Sequence, residues 1–298
     1  MNCFYYAYIT KRVIIFIESI FQINIKTCLI LYILKGGNMD QRRYDEAIDA
    51  LTLFSDQFFK IITKDERVAK EIIEATLDIT LDIYDYKYQE DIKYLIHRGV
   101  IFDVVMTSNI GIIDLEMESG KYHSDPKRLR FYASMLDVSS SKEGEDFDEL
   151  PDIKVIFIVN GDPLNKDQQV YHIHRYIDER LELYKDGCEL IIVNGLKEDD
   201  TRLGQIIHDL HQKRSEDMYN PILKEVTAYY KESKEGREIL CEIFDSIKRS
   251  GEEKGKIERG VEDIRNIMSS LALSLEQAMD ALKISEEERE MYKKILES

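Results

Sequence analysis

Asp103, Glu116 and Glu118 are spaced so that a single β-hairpin would carry all three acids on one face. Val104, Met106, Ile113, Leu115 and Met117 alternate with polar positions, the period of a half-buried strand. Ser108-Asn109-Ile110-Gly111 is a turn signal between the two runs, since Asn and Gly tolerate positive φ. With Asn109-Ile110 as a two-residue loop, Ser108 pairs with Gly111 and Asp103 sits directly opposite Glu116. Glu118 then lies one pleat beyond Glu116 on the same face. Facing carboxylates repel one another, and a hard divalent cation is the simplest compensator because it takes carboxylate oxygens as ligands. The ordinary alternative is an edge hairpin with solvated acids on its outer face.

The elements that must hold this hairpin can be read on either side of it. Residues 42–63 have the pattern of an amphipathic helix, with Ala47, Leu51, Phe54, Phe58, Phe59 and Ile62 on one side. A second helix is predicted over 66–79 and a Tyr-rich strand within Tyr84 to Ile96. Asp125-Pro126 opens a helix, since proline suits the first turn, running to about Leu136. Residues 139–149 read as a loop. The apolar run Lys154 to Val159 predicts a buried strand, and Val170 to Tyr176 and Glu189 to Val193 predict two more. From Thr201 onward the chain reads as helix. The sum is an α/β core with mixed strands followed by an all-helical C-terminal region, with domain limits expected at 39–200 and 201–298.

The chain has 298 residues, 44% hydrophobic and 33% charged, with a net charge of -17. That balance is unusual for a protein that grips nucleic acid, so any DNA site must be a local basic patch on an acidic body. Cys3, Cys28, Cys188 and Cys241 show no C-x-x-C spacing. This argues against a zinc ribbon or a disulfide framework and for a reducing cytoplasmic setting. Residues 13–34 are apolar but interrupted by Glu18, Asn24 and Lys26. Three readings of residues 1–38 stand: a leader before a start at Met39, a membrane tether, or an apolar helix packed on the domain.

Near the C-terminus, Ile257, Val261, Ile264, Met268 and Leu271 follow an a/d spacing. It fits either a coiled-coil homo-oligomer or a helix docked on its own body. Ser274 to Gln277 and Ser285 to Glu288 read as capping boxes of two short helices. A helix-turn-helix is rejected because Glu286-Glu287-Glu288 would repel phosphates. His172 and His174 share a strand face without a third ligand nearby in sequence. They read as surface residues, and His208 and His211, one turn apart, are likewise not a metal pair. Gly161-Asp162-Pro163 is a turn, not a phosphate cradle.

In their order along the chain, four blocks resemble the PD-(D/E)XK nuclease superfamily, specifically the bacterial Rpn-type recombination-promoting nucleases, also called transposases. Ser55 to Lys60 is similar to the family's N-terminal helix motif. Gly99 to Val104 is similar to the strand with the first catalytic acid, and Ile113 to Glu118 to its E-x-Q or E-x-K strand. Lys127 to Leu136 is similar to its Arg/Tyr helix. The resemblance runs from about residue 40 to the C-terminus. It implies a restriction-endonuclease-like core and a Mg²⁺- or Mn²⁺-dependent DNA endonuclease, with Asp103 and Glu116 as metal ligands and Glu118 assisting as base or ligand. Lys127, Arg128 and Arg130 become the DNA contacts, and Asp56 and Tyr132 accessory residues. Glu118 departs from the pattern, because it stands where the family has Gln or Lys and adds negative charge. A degenerate relative that binds or regulates without cleaving is the alternative.

Overall fold

The computed structural model describes residues 41–92, 99–119, 125–271 and 273–297. The N-terminal segment, with its apolar stretch over 13–34, lies outside the described residues, as do residues 93–96 of the expected Tyr-rich strand. The chain divides into two compact units. One is Asp45–Arg237; the other joins the segment up to Tyr44 with Glu238–Ser298.

The first unit begins with three helices, α1 (Gln41–Ala50, which starts just ahead of the unit), α2 (Asp56–Ile62) and α3 (Glu66–Leu77). A single helix over 42–63 was the expectation, and the break has a local cause. The Thr52 amide donates to Ser55 Oγ at 3.3 Å and the Phe54 amide to the Leu210 carbonyl at 3.1 Å, so both leave the helical ladder. Strands β1 (Ile83–Ile92), β2 (Val100–Ser108) and β3 (Gly111–Glu118) follow. Helix α4 (Pro126–Ser140) then leads to β4 (Ile153–Val159). After β4 come β5 (Val170–Ile173), β6 (Tyr176–Ile177), β7 (Glu182–Leu183) and β8 (Cys188–Asn194), then helices α5 (Arg202–His211) and α6 (Pro221–Glu232).

Six strands form one mixed sheet in the order β1-β2-β3-β4-β8-β5. The first three are an antiparallel meander, β3, β4 and β8 run parallel, and β5 returns antiparallel at the edge. Helix α4 makes the crossover that a parallel β3/β4 pair requires. The single strand expected over 170–176 is split, because Tyr176 and Ile177 pair with Leu183 and Glu182 in a separate two-stranded ribbon.

The hairpin register is the one its sequence predicts, with Ser108 opposite Gly111 and Val104 opposite Leu115. Gly111 has φ +106, and a Cβ there would lie 2.1 Å from the Asp152 carbonyl oxygen, so glycine alone fits both the turn and the close approach of that loop. The hairpin is not half-solvated. Val104, Met106, Ile113 and Leu115 are fully buried on one face. On the other, α4 contributes Leu129, Ala133, Met135 and Leu136 to a core with Phe102, Val105, Val155 and Phe157. Because β3 lies inside a sheet covered on both faces, its acids are buried.

The second unit centres on the long helix α7 (Lys234–Leu271) and the short helices α8 (Leu275–Ala281) and α9 (Glu286–Glu297). Ile264 of the a/d spacing is fully buried with Ala278, Met279 and Tyr292, and Ile257, Val261 and Met268 pack against them. Leu271 is 63% exposed. The Ser274 capping box is made in both directions, and the Ser285 hydroxyl donates to Glu288 at 2.8 Å. Among the described residues, no helix is long and apolar enough to cross a membrane.

Candidate acidic site at the end of the hairpin

The β2–β3 backbone pairing extends to Val104 and Leu115. One residue beyond, side chains take over. The Asp103 amide donates to Glu116 Oε1 at 2.7 Å, and the Met117 amide donates to Asp103 Oδ2 at 3.3 Å. Meanwhile β2 stays paired with β1 as far as Val100, and β3 with β4 as far as Glu118. The two central strands therefore separate at these acids, and each carboxylate fills the place of a missing strand partner. Asp103 is 5% exposed and Glu116 3%.

Two further groups hold Asp103 Oδ1: Lys60 Nζ of α2 at 3.2 Å and Gln89 Nε2 of β1 at 3.2 Å. Gln89 adopts φ 51, a left-handed backbone that a non-glycine residue takes at a cost. That strain sits at the contact with Asp103. Asp56, at the start of α2, is close enough to raise the proton affinity of Asp103, and its Oδ1 is buried without a hydrogen-bond partner.

Asp114, two residues before Glu116 and so on the same face of β3, was not among the expected site residues. It is fully buried, and neither of its carboxylate oxygens accepts from a donor group. Burial first, then the neighbouring Glu116 carboxyl, holds Asp114 well above the usual carboxylate range. Burial and Asp103 push Glu116 up to about 8. Asp103 is also raised, by burial, with Lys60 pulling it back. A protonated Asp114 would donate to Glu116, which gives both groups a partner. The signal for it in sequence was parity, since positions 114, 116 and 118 fall on one strand face.

Glu118 belongs to a different set of contacts. Arg128 NH1 meets its Oε2 at 2.5 Å and Arg128 NH2 donates to Tyr132 Oη at 3.3 Å. The guanidinium lies 5.3 Å and 5.2 Å from the ring centres of Tyr132 and Phe157. Tyr132 in turn packs edge-on against Phe102 and Phe157. Burial pushes the Tyr132 hydroxyl up to about 12, with Glu116 adding to the shift. Of the basic residues on α4, Arg128 thus points inward, while Lys127 and Arg130 are exposed. Glu118 is neutralised by Arg128, and among the described residues no group of three or more His, Cys, Asp or Glu side chains could hold a metal ion.

The four histidines singled out in the sequence have structural partners. His172 Nδ1 lies 2.7 Å and His174 Nε2 3.5 Å from Glu189 Oε1, a partner that the sheet supplies from β8. His208 stacks on Tyr219, and His211 meets the Gly195 carbonyl at 2.7 Å. No family model matches this sequence, and no curated protein or solved structure matches it.

Proposed function

We propose that the chain is a metal-dependent DNA endonuclease that hydrolyses phosphodiesters, as its resemblance to Rpn-type nucleases implies. One observation carries the reading: two buried carboxylates, Asp103 and Glu116, sit where two central strands part, and burial raises the proton affinity of both, with Asp103 adding to the shift at Glu116. The element order supports it. A helix, an antiparallel meander, a crossover helix and a parallel strand suit a restriction-endonuclease-like core.

The donor set is consistent with Mg²⁺ or Mn²⁺. Raised, crowded carboxylates, with Asp114 buried beside Glu116, would be relieved by a cation. Mg²⁺ is commonly bound by one or two carboxylates, with water and substrate phosphate completing its shell. Two protein carboxylates are thus enough, and Asp103 and Glu116 would be the ligands. When bound, the ion supplies Lewis-acid stabilisation of charge developing on the phosphate.

The chain's own residues set the rest. The Asp103 and Met117 amides fix both carboxylates, and Gln89 holds one Asp103 oxygen. Lys127 and Arg130, exposed on α4, would contact backbone phosphates, which position the duplex without reading its sequence. Hydrolysis forms one P–O bond from water and breaks one of the diester. One proton leaves the water and one reaches the departing oxygen. The test is cleavage of supercoiled plasmid by the full chain with Mg²⁺ or Mn²⁺. Nicking that disappears with Asp103→Ala supports the assignment, and nicking that survives it unchanged contradicts it.

A second reading has its own observation: Glu118 is tied to Arg128, and no three-ligand group is gathered among the described residues. A degenerate nuclease fold acting as a binding or regulatory module fits this arrangement. Failure to bind divalent ions at millimolar concentration would favour it.

A further inference from the structure

Position 118 carries a Glu where the nuclease reading calls for a cation or an amide, so a positive charge must reach the acid pair from elsewhere or be missing. Among the described residues, Arg128 and Lys60 bring positive charge toward the acids. Arg128 is committed: Glu118, Tyr132 and two aromatic rings hold its guanidinium. Lys60 is held differently. It extends from the last turn of α2 to Asp103 Oδ1, with its side chain 32% exposed against 6% for Asp103. Its ammonium thus lies at the boundary between the buried acids and solvent, where a phosphate would arrive. The helix is fixed for this task, since Phe58, Phe59, Ile61 and Ile62 around Lys60 are buried.

We propose that Lys60, from the second helix, supplies the ammonium that position 118 lacks and holds positive charge against the scissile phosphate beside Asp103. The inference rests on the endonuclease reading. It adds that the catalytic cation has moved from strand β3 to helix α2, while Glu118 has become the anchor of Arg128. The role needs no proton transfer from Lys60. A fixed ammonium stabilises negative charge as it grows on the phosphate oxygens, an effect worth about 100-fold or more in rate for comparable single donors.

The test compares the full wild-type chain with Lys60→Met, Lys60→Gln and the double variant Lys60→Met/Glu118→Lys on supercoiled plasmid in Mg²⁺. Lys60→Met and Lys60→Gln should each slow cleavage by about 100-fold, with thermal unfolding checking that they fold. The double variant, with its ammonium returned to the strand, should recover at least about tenfold of that loss. A Mn²⁺ titration without DNA reads the same pair independently of turnover. Removing an ammonium beside Asp103 should shift Mn²⁺ affinity several-fold.

Wild type that leaves the plasmid intact overturns the endonuclease reading itself. Wild type that cleaves, with lysine-free variants that match it, overturns the Lys60 assignment alone, as does a double variant that unfolds at the wild-type temperature yet recovers nothing. Mn²⁺ affinity left unchanged by Lys60→Met also overturns it, whether or not the wild type cleaves.

Discussion

Asp103 and Glu116 hold each other's strand: the Asp103 amide donates to the Glu116 carboxylate at 2.7 Å, and the amide just after Glu116 donates back to the Asp103 carboxylate at 3.3 Å. The exchange ends the ladder between two central strands without leaving buried amides unpaired. It also puts two carboxylates in a low-dielectric place that favours protonation, where burial pushes Glu116 up to about 8.

That protonation has a pH signature. The folded-state pKa of Glu116 is raised from the ordinary 4.5 to about 8. Below 4.5 the group is protonated in both states. Between 4.5 and about 8 the folded state binds the extra proton, so its contribution to stability falls as pH rises. Metal-free protein should lose stability from this group steadily across the window. Glu116→Gln should flatten that slope, as read from denaturant midpoints between pH 5 and pH 8. A wild type and a variant with equal slopes would contradict the assignment.

The Arg128–Glu118 pair should behave as a partly buried ion pair. Arg128→Met leaves Glu118 without its guanidinium and should cost about 2–3 kcal/mol, less than the loss at fully buried pairs because Arg128 keeps some exposure. Changing both residues to Met should recover most of that, since two apolar groups of similar size need no partners. A double variant as unstable as the single one would show that the stacking on Tyr132 and Phe157, rather than the charge pairing, dominates. Urea unfolding measures it.

Gly111 links the turn to the site. Its φ of +106 and the Asp152 carbonyl leave no room for a Cβ, so Gly111→Ala should destabilise the protein by about 2–4 kcal/mol. The same turn sets the register that brings Asp103 opposite Glu116. Divalent-ion affinity should therefore fall with the melting temperature, and calorimetry can follow both.

Asp114 offers a cheaper substitution. Asp114→Asn keeps the volume and supplies an N–H toward Glu116 without an ionisable group. At pH 8 it should stabilise the fold by about 1–2 kcal/mol, and thermal melting would show the sign.

The hairpin was legible because a two-residue turn and a period of two leave one register, and that register places Asp103 against Glu116. The mixed sheet followed from the strand runs flanking α4. Burial of the acids was not legible, since alternation of polar and apolar residues normally marks a strand with a wet face. Asp114 was hidden for the same reason, being one more polar position in an alternating run. Lys60 and Gln89 lie far from Asp103 in sequence, and only the packing of α2 and β1 beside β2 brings them to it. The break at Thr52 was missed because apolar periodicity continues across it while a serine hydroxyl and a distant carbonyl take the amides. The β6–β7 ribbon is two short pairings whose turn leaves no strong signal.

The most direct measurement is a Mn²⁺ titration of the full chain by calorimetry, alongside Asp103→Asn and Glu116→Gln. The account predicts binding at millimolar concentration or tighter in the wild type, strengthening as pH rises toward 8, and lost in both variants. Absence of binding in the wild type, or binding that both variants retain, would contradict it.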